Sequence, residues 1–108
     1  MELKELTEKL KSGENIAPGE LSKYRLELSG WFAFYSGQLE DILKRKPEQW
    51  LEIRKTAGSD KMTDMRYNAT EDGQEELALR LRLKSIEKIM SSIRLRLEIM
   101  EKESQNYY

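Results

Sequence analysis

The stretch at residues 77–100, LALRLRLKSIEKIMSSIRLRLEIM, restricts the fold more than any other part of the chain. At each end, leucines and isoleucines alternate with polar residues, as in a half-buried β-strand. The alternation fails over residues 84–88, where no turn residue separates two strands. A helical interpretation instead keeps one apolar seam at steps of four and three: Leu79, Leu83, Ile86, Met90, Ile93, Leu97 and Met100. Because helix-forming residues also dominate the segment, the sequence predicts a helix.

A second long helix is predicted over residues 18–46. Pro18 suits the first turn of a helix, where its missing N–H has no intrahelical partner to lose. Apolar residues then recur at steps of three and four: Leu21, Tyr24, Leu28, Trp31, Tyr35, Leu39 and Ile42. Pro47 follows, and proline disfavours helical geometry in the residue before it. The helix is therefore predicted to end at Lys46.

The remaining segments predict shorter helices, and the last helix has a second possible start. The complete set is four helices, at about 2–11, 18–46, 48–57 and 60–104. Thr70, followed by acidic residues and Gly73, is an alternative start within the last of these. We favour one continuous helix with a bend near Gly73. The sequence thus predicts one all-α domain over residues 1–108, an antiparallel hairpin of two long amphipathic helices with two short accessory helices, bundle-like or coiled-coil-like.

Leucines outside the seam bear on the association state. Leu77, Leu81 and Leu95 widen the apolar surface of the last helix beyond what a single seam covers. This excess predicts self-association into a homo-oligomer, and a monomeric three- or four-helix bundle is the alternative.

Composition excludes several classes of function. The chain has no cysteine and no histidine, which removes thiol chemistry and the commonest general base and metal ligand. We therefore expect no catalytic residues, no cofactor, no metal site and no enzymatic activity. Its 19 basic and 20 acidic residues nearly cancel, so nucleic-acid binding would need a local patch. No stretch approaches the roughly 20 apolar residues of a membrane span, so we expect a soluble cytoplasmic protein.

A glycine- and aromatic-rich segment is the candidate protein-binding site. Gly30 and Gly37 are seven residues apart and share one helical face, although glycine costs about 1 kcal/mol in a helix interior. Close approach of another helix is one explanation for this cost. The other is a shallow groove flanked by aromatic residues such as Trp31 and Phe34, which would receive a protein partner.

Basic residues on the last helix form the candidate nucleic-acid-binding site. Arg80, Lys84 and Lys88 recur every four residues and so share a face. The full candidate set is Arg80, Arg82, Lys84, Lys88, Arg94 and Arg96. Such residues either follow a phosphate backbone or only solvate a leucine-rich helix.

Acidic residues precede these basic ones. The cluster comprises Glu71, Asp72, Glu75 and Glu76. Without histidine it lacks the di-metal bundle signature, so we expect these acids to complement a helix N-terminus or a neighbouring basic surface.

Two runs resemble proteins of bacteriophages and prophages. They are WFAFYSGQLEDILKRKPEQW and YNATEDGQEELALRLRLKSIEKIMSSIRLRLEIMEKE. The pattern is similar to that of small early-gene proteins without an assigned activity, and it covers most of residues 24–108. The resemblance implies a phage setting in a bacterial host cell. Two functions fit that setting: binding a host or phage protein, for example to inhibit a defence factor, or assisting DNA recombination and replication.

Overall fold

The computed structural model describes residues 3–11 and 16–106, and it confirms the predicted all-α fold. The chain forms four helices: α1 (Leu3–Lys11), α2 (Pro18–Ala57), α3 (Asp60–Ala69) and α4 (Glu71–Asn106). The described residues contain no strand, and the two long helices, α2 and α4, pack against each other. Within the described residues, no helix is both long and apolar enough to cross a membrane.

Tertiary contacts divide the chain into two compact units. The terminal unit comprises Met1–Phe32 and Lys84–Tyr108, and the central unit comprises Ala33–Leu83. The prediction of one domain over residues 1–108 stays a prediction.

An aliphatic core holds the terminal unit together. Burial follows the predicted seams, at steps of three and four on α2 and α4. The buried core residues here are Ile16, Leu21, Tyr24, Leu28, Ile86, Ile89 and Ile93. Helix α1 belongs to the same unit, and a terminal nitrogen of Arg96 donates a hydrogen bond of 2.5 Å to the carbonyl oxygen of Leu10. The predicted start of α1 at residue 2 lies outside the described residues.

The central unit contains three helical segments: residues 33–57 of α2, all of α3, and residues 71–83 of α4. Its core is small and partly polar. The residues that are buried here are Ile42, Ala57, Thr63, Tyr67, Gly73 and Leu79. The polar contacts described below therefore carry much of the specificity with which these helices pack.

The predicted end of α2 at Lys46 is wrong, and so is the separate helix over residues 48–57. Helix α2 continues through Pro47 to Ala57. A proline in a helix interior costs about 3 kcal/mol. The turns on both sides of it are nevertheless anchored, because Lys46 pairs with Glu76 and Trp50 hydrogen-bonds to α3. These contacts offset the local preference.

The predicted continuous helix over residues 60–104 is also wrong, because α3 ends and α4 begins at Thr70. This residue is extended, with φ −72° and ψ 163°. Its side-chain oxygen accepts a hydrogen bond from the Gly73 N–H at 3.1 Å, and its own N–H donates to the Tyr67 carbonyl at 2.9 Å. Thr70 thus caps both helices, as the alternative start in the sequence suggested.

Gly73 makes this junction possible. A Cβ atom at this position would stand 2.1 Å from the carbonyl oxygen of Tyr67 and 2.8 Å from the Cα of Asn68. Both neighbours are backbone atoms that cannot rotate away. Only glycine therefore lets the start of α4 pack this closely against the end of α3.

Candidate functional site

In the central unit, Phe34 and Gly37 form an exposed part of α2. The Phe34 side chain is 62% exposed, and its ring contacts that of Tyr35 edge-on at 5.5 Å between centroids. Gly37 is exposed as well, and apart from the neighbouring backbone of α2 no described atom lies within 4 Å of the place where its Cβ would stand. This glycine is therefore not explained by the close approach of another helix within the described residues.

The other two predicted protein-binding residues lie in the terminal unit. Gly30 is exposed, again with no described atom within 4 Å of a Cβ position. Trp31 is half-buried. Leu26, one helical turn before Gly30, is exposed too, and sequence analysis missed it. Leu26 could have been identified from the sequence, because residues four apart on a helix lie on the same face.

The two basic candidates of the central unit have different partners. Arg80 pairs with Glu76 one turn earlier, with 3.2 Å between Nε and Oε2. The guanidinium of Arg82 lies over the ring of Tyr35, 4.8 Å from its centroid, which is a cation–π contact. Among the described residues Arg82 makes no ion pair. Its charge is thus available at a site that also exposes an aromatic ring.

The other four basic candidates belong to the terminal unit. Lys84, Lys88 and Arg94 are exposed. Arg96 is half-buried and bonds the backbone of α1, as described above. Arg96 therefore has a structural contact, whereas the first three lie on solvent-facing positions.

Two residues of the acidic cluster are paired with other side chains, and the other two are exposed. Asp72 accepts hydrogen bonds from Nε of Arg45 at 3.2 Å and from Gln49 at 2.7 Å. The bond from Arg45, followed by that from Gln49, holds the pKa of Asp72 below its usual value. Glu71 and Glu75 are exposed. The expectation that these acids complement a basic surface is confirmed for Asp72.

Glu76 links all three helical segments of the central unit. Its carboxylate accepts from Lys46 of α2 at 3.2 Å, Arg80 of α4 at 3.2 Å and the Tyr67 hydroxyl of α3 at 3.3 Å. Burial acts to raise the pKa of Glu76, but the bonds from Lys46 and Arg80 outweigh it and lower the pKa. Burial, with Glu76 nearby, raises the pKa of Tyr67. The ammonium of Lys46 also lies over the Tyr67 ring at 4.9 Å.

Further bonds fasten α3 to α2, and one of them runs from Arg66 to the Thr56 hydroxyl at 3.3 Å. The indole N–H of Trp50 donates to Asp64 at 2.8 Å, and Arg54 pairs with Asp60 at 2.8 Å. These pairs were not predicted from the sequence. These residues approach each other only after the helices pack, so a single sequence does not show that they pair. The opposite charges of Arg54 and Asp60 are a weak signal.

Large apolar side chains are exposed on every helix of the central unit. They are Phe34, Leu43, Leu51, Met62, Met65, Leu77 and Leu81. Buried large residues are fewer there. Among the described residues, no group of three or more acidic side chains is placed to hold a metal ion.

Comparison with known proteins adds no relative to this description. No protein-family model, curated protein or solved structure matches the chain.

Proposed function

We propose that this chain is a non-enzymatic interaction protein of a bacteriophage or prophage. It acts in the cytoplasm of the bacterial host and binds a host or phage protein through a helical surface on α2. Inhibition of a host defence or nucleic-acid-processing factor is one role that fits such a protein. The phage setting rests on the sequence resemblance, and the binding surface rests on the geometry of α2.

The observation that carries this proposal is the exposure of Phe34 beside Gly37. Glycine in a helix interior is less favourable than alanine by about 1 kcal/mol, and within the described part of the chain no close approach at Gly37 offsets this cost. A contact that forms only with a partner accounts for its presence. A partner helix can approach the backbone closely at Gly37, while the ring of Phe34 packs against its side.

Exposed aromatic rings next to small residues have the properties of interface hot spots. A side chain such as Phe34 removes a large apolar area from water when a partner covers it. Trp31 and Gly30, which the sequence placed in the same candidate site, extend the proposal to the preceding turns of α2. The proposal does not depend on them, because Phe34 and Gly37 are both exposed on α2 within the central unit.

Capture from a bacterial host lysate tests this function. We expect the full chain to retain one defined protein that Phe34→Ala and Gly37→Leu no longer retain. Leu51→Ala is the matched control, because Leu51 is 60% exposed in the same unit but lies away from Phe34 in sequence. Equal capture by the parent, both α2 variants and the control would contradict the proposed surface.

A specific observation favours nucleic-acid binding as the second candidate function. Arg82 lies over the ring of Tyr35, which contacts the exposed ring of Phe34, and it has no acidic partner among the described residues. Single-stranded nucleic acid is bound by this combination of cation and aromatic ring, with phosphate on the arginine and a base on the ring. The near-neutral charge of the chain favours the protein partner instead.

A gel shift with single- and double-stranded DNA at two salt concentrations separates the two functions. If Lys84, Lys88 and Arg94 contact phosphate, replacing all three with Gln should reduce the salt dependence of binding by up to about three phosphate contacts. These positions are exposed, so the variant should fold normally. If the parent binds neither DNA at low salt, the nucleic-acid function is rejected.

Self-association accompanies the proposed function. The exposed leucines of α4 support it.

A further inference from the structure

The side of α2 that exposes Phe34 also carries an acidic stretch, which consists of Asp41 and Glu48. These two residues follow Phe34 at steps of seven, and both are exposed in the central unit. A step of seven returns a side chain to nearly the same side of an α-helix, about 10.5 Å further along its axis. Because α2 continues through Pro47, the three side chains lie along one side of it. The surface at Phe34 and Gly37 therefore continues into the acidic stretch.

The acidic stretch differs from the other two acids of α2 in this unit, because those have cations of their own. Glu40 pairs with Lys44 at 3.3 Å, and Glu52 pairs with Lys55 at 2.9 Å. Among the described residues, neither acid of the acidic stretch takes part in an ion pair. This side of α2 thus has two negative charges that no side chain of the described part of the chain balances by pairing.

Two arginines of the central unit also bear on the charge of this surface. The guanidinium of Arg45 is bonded to Asp72 at 3.2 Å, so that carboxylate balances its charge. Arg82 lies over the ring of Tyr35, which contacts the exposed ring of Phe34. Cations of a partner are therefore repelled at the end where Arg82 lies, and they are attracted further along α2, at the acidic stretch.

We propose that the partner bound at Phe34 and Gly37 is a basic amphipathic helix that lies along α2. An apolar side chain of this helix packs on Phe34, its backbone approaches α2 at Gly37, and two Lys or Arg side chains pair with the acidic stretch. Two helices that lie side by side present residues at the same heptad spacing, so basic residues seven apart match Asp41 and Glu48. The inference rests on the proposed function, and it names the chemical class of the partner.

Apolar contact and charge have different roles in this complex. Exposed ion pairs contribute little free energy, so apolar burial at Phe34 provides most of the affinity. The acidic stretch selects the partner, because a helix with acidic residues at the facing positions brings like charges together.

Two synthetic peptides test the chemistry of the partner. Each is an alanine-rich helix of about three heptads with leucines along one side. At two positions seven apart on that side, one peptide carries arginines and the other carries glutamates. We expect the full chain to bind the arginine peptide at least about tenfold more tightly, as measured by fluorescence anisotropy of the labelled peptides.

Variants of the full chain locate the contact. Asp41→Asn combined with Glu48→Gln should weaken binding of the arginine peptide by at least about threefold and reduce its salt dependence. Phe34→Ala should weaken it further. Glu98→Gln combined with Glu101→Gln is the matched control, because it removes the same charge at two exposed acids of the terminal unit, and it should bind like the parent. Equal helical circular dichroism shows that each variant is folded.

Several results would overturn the inference. Equal binding of the two peptides does so, as does binding of neither peptide or an equal loss in the control variant. A single-stranded oligonucleotide gives the opposite sign, because removing two acids strengthens the binding of a polyanion. If the parent binds this oligonucleotide more tightly than the arginine peptide, and the variant at the acidic stretch binds it more tightly still, the surface takes nucleic acid instead.

Capture from host lysate keeps the inference separate from the proposed function. A captured protein that requires Phe34 but binds the variant at the acidic stretch as tightly as the parent overturns the inference and leaves the proposed function in place. A captured protein that also requires the acidic stretch supports the inference only if the arginine peptide displaces it.

Discussion

The terminal and central units are held together by different interactions. In the terminal unit, isoleucines and leucines of α2 and α4 are buried, with Ile86 and Ile93 fully inaccessible. In the central unit, hydrogen-bonded ion pairs join the helices, notably Arg45 with Asp72 and Lys46 with Glu76. Apolar burial is non-directional, whereas ion pairs need one geometry. Apolar burial therefore pairs the helices of the terminal unit. In the central unit, the ion pairs fix the positions of the helices.

The two units also differ in how many large apolar side chains they expose. Among the described residues, the central unit exposes more large apolar side chains than it buries, and the terminal unit does the reverse. A unit whose helices are positioned by polar bonds can leave apolar side chains free for a partner. The surface proposed around Phe34 falls in the central unit, where such side chains are exposed.

The largest expected effect is on the terminal unit. Ile86→Asp places a charge in a fully buried position without a partner, which costs several kcal/mol and is comparable to the stability of an ordinary domain. We expect loss of helical circular dichroism at ambient temperature. Leu95→Asp, the same substitution type at an exposed position of α4, should stay folded. An Ile86→Asp variant that melts like the parent would show that apolar burial does not hold this unit.

The junction between α3 and α4 comes second. Gly73→Ala forces a Cβ against the Tyr67 carbonyl, and the required backbone shift should destabilise the chain by about 2 to 4 kcal/mol. Urea unfolding measures this loss. Gly30→Ala is the control, because no described atom lies near its Cβ position, and it should be neutral or stabilising by up to about 1 kcal/mol. Similar results for the two variants would contradict the close approach at Gly73.

Acid should loosen the central unit through its ion pairs. The pKa values of Asp72 and Glu76 are lowered in the folded chain, so their stabilisation is complete above the unfolded carboxyl pKa of about 4 to 4.5. It is lost as the pH falls through the folded values. Acid titration should therefore affect the central unit below about pH 4.

The two tryptophans allow this acid effect to be measured separately in each unit. Trp31→Phe leaves Trp50 as the reporter of the central unit, and Trp50→Phe leaves Trp31 as the reporter of the terminal unit. We expect the fluorescence of Trp50 to change at higher pH than that of Trp31. Adding Glu76→Gln to the first variant should reduce the change. Coincident transitions in the two reporters would remove the distinction between the units.

The smallest effect is expected at an ion pair on the surface. Lys44 and Glu40 pair at 3.3 Å, but both side chains are more than two-thirds exposed. Lys44→Ala should change the free energy of unfolding by no more than about 0.5 kcal/mol. Lys46→Ala, which leaves Glu76 with one fewer cation in a partly buried place, should cost more. A larger loss from Lys44→Ala would mean that exposed pairs also hold the central unit.

Sequence patterns predicted the helices and their inward faces, but they did not predict where two helices end. The seam from Leu79 to Met100 is buried or half-buried at every member, because a step of four and three repeats on one face of any α-helix. Pro47 and Thr70 were misjudged for opposite reasons. At Pro47, contacts with α3 and α4 overcome a local break, and at Thr70 the packing of Gly73 on Tyr67 favours a break over continuation.

The candidate site could be predicted only in part. The unusual glycines and aromatic residues drew attention to Phe34 and Gly37 in the sequence. Whether that surface is packed or open depends on which helix lies against it, and residues outside the segment decide this. The packed structure leaves Gly37 open, and it holds Arg80 at Glu76 while Arg82 rests on Tyr35.

By itself, the sequence determined the all-α class, the pairing of two long amphipathic helices and the lack of histidine and cysteine chemistry. Periodicity and composition are local properties, so they persist in any fold that this chain adopts. Tertiary structure alone decided the continuation of α2 through Pro47, the double cap at Thr70 and the pairing of Arg45 with Asp72, 27 residues later. These features depend on contacts between distant residues, whose free energy exceeds the local preferences that a sequence displays.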